Sequence, residues 1–339
     1  MQVYSRFRCI SGLSPKQVAS VIFRQFLKVM RNKTTLRQSL ILFTAALIWG
    51  FTFVAQSVGM DYVGPFTFIA MRNIVALMVL LPMAAIMDRR GKKQPRQTDR
   101  KKNNRLLLFG GVCCGICLFL GSTLQQFGVR DTTVGKAGFI SALYMVLVPL
   151  LGIFLGKKIG LRIWAAVGLA AFGMYLLCMT KGDFHLQKGD LYLFACAIVF
   201  SLQILSVDHF SPMMDGVKLS CMQTLTNAVL GAICMLLFER PDFGSILAAW
   251  MPIVYAGALS SGIGYTFQII GQKNLNPAIA SLIMSLESVI SALAGWLLLD
   301  QILSPRELAG CALTFLAIIL VQLPGQSQKR IAEKQGNSA

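Results

Sequence analysis

Charged residues are scarce in this sequence, and those that occur are gathered into short segments. Only 14% of the 339 residues are charged, whereas 55% are hydrophobic. A soluble domain of ordinary composition has about 25% charged residues. The shortage of charge argues against a soluble globular domain. It leaves long apolar stretches of the length that crosses a lipid bilayer as a helix.

Sequence signatures of enzymes and metal sites are also missing. There is no Walker A loop and no H-E-x-x-H motif, and histidine occurs only twice. The segment Ala258–Gly262 lacks the first glycine of a G-x-S-x-G elbow. Phe267 stands where a dinucleotide-binding loop starting at Gly262 would need its third glycine. Most cysteines lie in apolar runs, where they act as small hydrophobic residues. We expect no enzyme activity, cofactor, metal site or disulfide.

Apolar runs are what the sequence has in abundance, and ten of them are predicted to cross the membrane. The period-2 alternation of a membrane barrel is absent. Backbone groups within lipid must hydrogen-bond inside their own segment, so the runs are predicted to be α-helices. Spans one to ten are Ser39–Val58, Pro65–Met87, Leu106–Phe127, Thr133–Leu155, Ile163–Met179, Asp190–Val207, Leu219–Phe238, Ile246–Gly271, Pro277–Leu299 and Glu307–Leu323. The predicted fold is an all-α polytopic membrane protein.

Basic residues outnumber acidic ones, 32 to 14, and their distribution indicates the orientation. Cytoplasmic loops of membrane proteins are enriched in Lys and Arg. With the N-terminus inside, 25 basic residues fall in cytoplasmic segments, 6 fall in outer loops, and Arg72 lies within a span. We predict a cytoplasmic-membrane protein with both termini in the cytoplasm. Basic residues confined to short loops indicate orientation rather than nucleic-acid binding.

Basic segments flank the predicted spans. The N-terminal lead 1–37 is either a helix lying on the membrane surface or, as we favour, a lead whose true translation start is Met30. Starting at Met30 would leave the predicted orientation unchanged. The tail 324–339 is predicted to be cytoplasmic.

The second half of the sequence repeats the first. A shift of 143 residues aligns spans three and four with spans eight and nine, and a shift of 151 aligns spans one and two with spans six and seven. The matched pairs are Gly121/Gly264, Thr123/Thr266, Gln125/Gln268, Gly128/Gly271, Gly152/Gly295, Leu42/Leu193, Phe43/Phe194, Ala46/Ala197, Trp49/Phe200 and Arg72/Gln223. Each predicted repeat, 38–181 and 189–323, holds five spans. Because five is odd, the second repeat is predicted to be inverted, as in many secondary transporters.

Segments in both repeats resemble a known family. They are Ala46–Gly50, Pro65-Phe66 with Arg72, Ser285–Val289 and Gly295–Leu299. Together they resemble EamA-type carriers of the drug/metabolite transporter superfamily, over about residues 39–323. Ser288 and Asp300-Gln301 depart from the proline and the Gly-Glu pair common in that family. The resemblance implies a ten-helix bundle of two inverted repeats that carries metabolites, typically amino acids or similar compounds.

Three charged residues within the spans are candidates for the transport site. Glu287 falls near the middle of span nine, where a charge costs about 2.5–3.5 kcal/mol on insertion scales. It is predicted to bind a substrate ammonium group or to carry a proton; the alternative is a structural ion pair with Arg72 or Lys136. Those two residues lie in the outer parts of spans two and four. There they could bind a carboxylate or extend to the membrane surface.

Neutral polar residues and aromatic residues within the spans extend the candidate site. The polar residues are Gln125, Gln268, Gln223, Gln203, Asn227, Asn73, Tyr144 and Tyr265. Such residues usually join helices to one another. Gln125 and Gln268 are stronger candidates for lining a pathway because both repeats place them at one depth. Trp49 is predicted either to gate the pathway or to pack and anchor at the interface.

The sequence predicts a secondary active transporter, working as an exporter, whose partners are a small organic solute and the lipid bilayer. Proton coupling through Glu287 is part of this prediction. A channel would need a continuous polar stripe or filter, which the sequence does not show. A non-transporting scaffold or sensor is the other alternative.

Overall fold

The computed structural model of the chain describes residues 33–90, 97–156, 160–178, 188–300 and 304–322. Within these ranges the chain forms helices and short connections, with no β-strand. Met30, predicted as the translation start, and residues 323–339 lie outside them. The described residues therefore confirm the all-helical class of the predicted fold.

Fourteen α-helices are found in the described ranges. They are α1 (Lys33–Gly59), α2 (Pro65–Arg90), α3 (Gln97–Arg130), α4 (Val134–Ser141), α5 (Tyr144–Phe154), α6 (Leu161–Cys178), α7 (Lys188–Phe210), α8 (Gly216–Phe238), α9 (Phe243–Ala248), α10 (Trp250–Val254), α11 (Tyr265–Gln272), α12 (Pro277–Met284), α13 (Leu286–Leu299) and α14 (Pro305–Gln322). A 3-10 turn, Ser211–Met213, follows α7. A π-helical segment, Tyr255–Gly264, joins α10 to α11.

Eight stretches of the described chain are long and apolar enough to cross a membrane. They correspond to predicted spans one to four and six to nine. Helices α6 and α14 occupy predicted spans five and ten and pack against each other. Within α6, the apolar stretch Ile163–Gly173 is shorter than the other eight. The protein is thus a polytopic helical bundle, and the number of ten spans stays a prediction.

Spans four and nine are interrupted at matched positions. Span four divides into α4 and α5 at Ala142–Leu143, and span nine divides into α12 and α13 at Ser285. In span nine, the hydroxyls of Ser285 and Ser288 donate to carbonyls three residues earlier. Such bonds compete with the α-helical pattern and tighten the turn. The sequence predicted an unbroken helix in each span, and it did not indicate these breaks.

Span eight is wound more widely than its neighbours. The π-helical segment includes Gly257, where an added Cβ would lie 2.6 Å from the carbonyl oxygen of Arg72. The Tyr255 hydroxyl of this segment donates to the carbonyl oxygen of Ile48 at 3.2 Å. These contacts place the segment directly against α1 and α2. Wide turns of this kind occur frequently at functional sites.

Two seams between the halves of the chain are built from the matched glycines of the sequence repeat. An added Cβ at Gly121 in α3 would lie 2.6 Å from the ring of Phe200 in α7. An added Cβ at Gly264 would lie 2.7 Å from the ring of Trp49 in α1. A second pair of contacts continues both seams: Gly128 against Leu193, and Gly271 against Leu42. The recurring glycines therefore make room for the recurring large residues of the other half.

The same reciprocity appears in the packing of whole helices. Helix α3 packs on α7 and α8, which belong to the second half. The π-helical segment and α11 pack on α1, and the π-helical segment also packs on α2. Helix α2 packs directly on α8. Each half thus contributes one helical unit that packs against the first two spans of the other.

The outer surface of the bundle is apolar, whereas its interior holds polar residues. Leu236, Leu237 and Phe238 are each at least 70% exposed. Gln56 and Asn227 are almost completely buried. This distribution is the reverse of a soluble protein, and it suits a bundle surrounded by lipid.

Candidate functional site

A central cavity lies between the two halves of the chain. Interrupted spans four and nine meet α1, α3, α7 and α11 there. It is lined by Trp49, Thr52, Phe53, Gln56, Arg72, Gln125, Tyr144, Phe200, Gln203, Ile204, Ser260, Tyr265, Gln268, Met284 and Glu287. The space open to water centres is about 40 Å³, enough for a few water molecules at roughly 10–15 Å³ each.

Glu287 enters this cavity immediately after the break in span nine. It is the second residue of α13 and is 5% exposed. Its Oε1 accepts a hydrogen bond of 2.9 Å from the hydroxyl of Tyr144, the first residue of α5. A helix N-terminus carries partial positive charge, which favours a carboxylate in this position. The 143-residue shift relates Tyr144 to Glu287, so matched positions of the two repeats touch in the cavity.

Arg72 brings a positive charge to the same cavity. It is only 1% exposed. Its Nε and Nη1 have no hydrogen-bond partner in the described part of the chain, and no described carboxylate lies within 4.0 Å of it. The neutral Tyr265 side chain is its polar neighbour. Arginine stays charged in proteins, and a buried charge without an opposite charge costs roughly several kcal/mol. The geometry therefore favours an anionic group or water beside this guanidinium.

Each half of the chain contributes one pair of hydrogen-bonded glutamines. Gln56 of α1 donates to Oε1 of Gln125 in α3 at 3.1 Å. Gln268 of α11 donates to Oε1 of Gln203 in α7 at 2.9 Å. The predicted pair Gln125 and Gln268 thus lines the cavity from both halves. Each amide is positioned by a glutamine from its own half.

Aromatic rings close much of the remaining wall. The rings of Trp49 and Tyr265 lie 5.0 Å apart between centroids, and Phe200 lines the opposite seam. The Nε1 of Trp49 is buried and has no hydrogen-bond partner among the described residues. Trp49 is therefore a lining residue with an available donor, in contact with Gly264 behind it.

Four of the predicted site residues do not line the cavity: Lys136, Gln223, Asn227 and Asn73. Lys136 lies near the start of α4 and forms an ion pair of 2.8 Å between its Nζ and Oδ2 of Asp190. Gln223 approaches the Nε2 of Gln203 at 3.5 Å and so lies behind the lining. Neither Arg72 nor Lys136 forms an ion pair with Glu287 in the described structure. The other eight predicted residues do line the cavity: Trp49, Arg72, Gln125, Tyr144, Gln203, Tyr265, Gln268 and Glu287.

Several lining residues were not singled out from the sequence. They are Thr52, Phe53, Gln56, Phe200, Ile204, Ser260 and Met284. The repeat held part of the signal, because the 151-residue shift relates Thr52 to Gln203 and Phe53 to Ile204. Gln56 could also have been predicted as a lining residue, because it is an amide within predicted span one. In the described residues, no group of His, Cys, Asp and Glu side chains is arranged to hold a metal ion.

Comparisons with known proteins agree with this architecture. The chain is 28% identical over 279 residues to an uncharacterized transporter of Archaeoglobus fulgidus, covering 82% of this chain and 83% of that one. It is 22% identical over 287 residues to the uncharacterized transporter YoaV of Bacillus subtilis, covering 82% and 94%. A WAT1-related protein of Arabidopsis thaliana is 22% identical over 340 residues, covering 88% and 91%.

A solved crystal structure has the same fold. It superposes with a TM-score of 0.67 at 21% sequence identity and covers 84% of this chain and 96% of that chain. The model of the EamA-like transporter family matches twice, over residues 37–179 and 187–323. These two matches together span most of the sequence, so the chain belongs to the EamA-like transporter family.

Proposed function

We propose that this membrane transporter is a secondary active carrier that exports a small zwitterionic metabolite, an amino acid or a related compound, across the cytoplasmic membrane. One observation carries the proposal: a single cavity between the halves holds a buried guanidinium and a buried carboxyl group that do not pair with each other. A zwitterion has the two complementary charges. Its carboxylate would bind Arg72, and its ammonium group would bind Glu287.

The carrier mechanism rests on two inverted repeats, which we assign to residues 38–181 and 189–323. Ten spans in two sets of five would give this arrangement, with both termini in the cytoplasm. It is supported by the double match to the family model, by the reciprocal glycine seams and by breaks at matched positions in spans four and nine. In such carriers, interrupted helices surround a site near the middle of the bilayer.

Glu287 has a second role open to it. A buried carboxyl group next to a pathway can carry a proton through the transport cycle. Proton coupling would supply the energy that an exporter needs, since the sequence has no ATP-binding loop. The variant Glu287→Gln distinguishes whether Glu287 binds the solute or the proton.

The test is a flux measurement with purified protein in lipid vesicles. Vesicles would be loaded with a mixture of radiolabelled amino acids, and efflux would be followed with and without a proton gradient. We expect saturable efflux of some of the amino acids in the mixture. Efflux should be faster when the proton gradient drives protons into the vesicles, because solute and protons then exchange in opposite directions. Efflux that does not saturate would indicate a channel, and no efflux above empty vesicles would indicate a scaffold or sensor.

The physiological solute is found by comparing cells. A strain lacking the gene and a strain overproducing the protein would be compared for intracellular and extracellular metabolites. We expect one zwitterionic compound to accumulate inside the first and outside the second. Accumulation of only anions or only cations would contradict the zwitterion assignment.

A further inference from the structure

One end of the bundle is held together by contacts between the two halves. It carries the loops 60–64, 131–133 and 239–242, and we call it the outer end after its predicted orientation. The ring of Phe66 lies 5.6 Å from that of Phe127 and 5.7 Å from that of Phe238. Since these residues stand at the ends of α2, α3 and α8, the three loops share one end of the molecule.

The first polar contact at this end is a helix cap supplied by the other half. Both oxygens of Glu239, after α8, accept hydrogen bonds from the first turn of α2: Oε1 from the Phe66 N–H at 2.9 Å, and Oε2 from the Thr67 N–H at 2.8 Å. The Thr67 hydroxyl adds a third bond at 2.6 Å. Gly64 leaves room for the carboxylate, because an added Cβ there would lie 2.4 Å from Cδ of Glu239.

The second contact is the ion pair between Lys136 of α4 and Asp190 of α7. The two charged atoms lie 2.8 Å apart, and the side chain of Asp190 is only 5% exposed. Because a buried ion pair resists separation more strongly than an exposed one, this contact holds the two halves together at the same end. It also gives Lys136 a role outside the central cavity.

At the opposite, inner end, the first N–H groups of the matched helix α8 are capped differently. Under the 151-residue shift, Gly64 corresponds to Asp215. Asp215 caps its own helix, accepting two backbone N–H bonds of 3.0 Å in the first turn of α8. A neutral hydrogen bond from Gln38 to the Lys273 carbonyl joins the halves at that end. The cap described at the inner end is therefore a local one, whereas the cap at the outer end links the halves.

The residues at the matched positions of the inner end do not repeat this ion pair. Lys136 corresponds to Ile279, and Asp190 corresponds to Ser39. Isoleucine and serine cannot form an ion pair. In a carrier that opens alternately at its two ends, contacts that hold one end together favour the state in which that end is closed.

We propose that the Glu239 cap and the Lys136–Asp190 ion pair form an outer lock, which keeps the resting carrier closed toward the outside. The proposal rests on the alternating carrier described above and adds which end is closed at rest. In an exporter, such a lock lets the solute reach the central cavity from the cytoplasm first. It opens outward only when both polar contacts separate.

The test measures how fast the cavity becomes reachable from outside. In the full-length chain with all nine cysteines replaced by alanine, Thr52→Cys would place one thiol in the cavity lining. Intact cells would be treated with a charged, membrane-impermeant maleimide, and the labelling rate would be recorded. Labelling requires no solute, so its outcome is independent of whether flux is observed.

The key variant gives the outer end a local helix cap like the one at the inner end. Gly64→Asp with Glu239→Ala introduces a local cap like that of Asp215 and removes the acceptor oxygens that link the halves. Its companion, Lys136→Met with Asp190→Asn, removes the ion pair without leaving a buried charge. We expect each double variant to label about tenfold faster than the parent, the change that corresponds to about 1.4 kcal/mol.

A control variant and the amount of protein in the membrane distinguish opening of the outer lock from loss of stability. Asp61→Asn changes an exposed acidic residue of the same end and should label at the parent rate. If both double variants are present in the membrane at the parent amount and label at the parent rate, the lock is excluded. Faster labelling only in inverted vesicles would mean that the contacts close the cytoplasmic side, which also overturns the proposal.

Discussion

At the two glycine seams, the halves of the molecule make the same contact: Gly121 and Gly264 each receive an aromatic ring from the other half. In the central cavity, the halves differ, because Glu287 lies opposite Tyr144 at the matched position. The seams give both halves the same packing, as equivalent movements of the two halves in the proposed carrier would need. The proposed zwitterionic solute has two different ends, and asymmetric charges in the cavity suit it.

The second charged position shows the same contrast. Arg72 lines the cavity, whereas its counterpart Gln223 lies behind Gln203. The first half thus supplies the cation and the second half supplies the carboxyl group. Replacing Glu287 or Arg72 with a neutral residue makes the two halves more alike. These two substitutions are therefore the most informative experiments.

The largest effect is expected from Glu287→Gln, which removes the only charge that the described residues of the second half bring to the cavity. If Glu287 carries the proton, accumulation driven by a gradient should be lost while solute exchange continues. If Glu287 binds the solute ammonium group, both should be lost. Both activities would be measured in vesicles, with Asp61→Asn, an exposed loop substitution, as the control. Normal accumulation and exchange at normal expression would contradict both roles and leave Glu287 a structural residue.

Arg72→Gln gives the first half the residue that the second half has at this position. Loss of one partner of a buried charge pair costs about 2–5 kcal/mol, so solute affinity should fall by about 30-fold or more. The measurement is the solute concentration for half-maximal exchange. Arg130→Gln is the matched control, because Arg130 is exposed and pairs only with its neighbour Asp131. An unchanged affinity in Arg72→Gln would place the solute carboxylate elsewhere.

Substitutions at the seams should act on stability, and equally in the two halves. Gly121→Ala and Gly264→Ala each force a Cβ against an aromatic ring, and such overpacking costs about 1–3 kcal/mol. Gly168→Ala in α6 meets no atom within 4 Å and should stabilise its helix by up to about 1 kcal/mol. Thermal unfolding in detergent would compare the three. A destabilised seam in only one half would argue against reciprocal packing.

Eight of the ten predicted spans are confirmed as long enough to cross a membrane, because long apolar runs are visible in the sequence. The inverted repeat, predicted from glycines at a fixed shift, stays a prediction. Sequence reasoning also found eight lining residues, because a polar side chain within lipid needs a cavity or a partner. The breaks at Ala142 and Ser285 were missed, since neither position has the proline or glycine that usually indicates an interruption. The Asp190 partner of Lys136 was missed because contacts between distant segments depend on packing.

The smallest effect is expected from Tyr144→Phe, which removes a hydroxyl and leaves both charges in place. The Tyr144 hydroxyl holds one oxygen of Glu287 at 2.9 Å, and so fixes the direction in which the carboxyl group faces the cavity. A hydrogen bond to a charged group contributes about 1.5–3 kcal/mol, but Glu287 keeps its position at the start of α13. We therefore expect solute affinity to weaken by up to about tenfold, with the maximal exchange rate and the response to a proton gradient unchanged. Tyr175→Phe on the exposed face of α6 is the matched control. A variant as inactive as Glu287→Gln would mean that the hydroxyl itself takes part in coupling, and the matched pair would then act as one proton-carrying unit shared between the two halves.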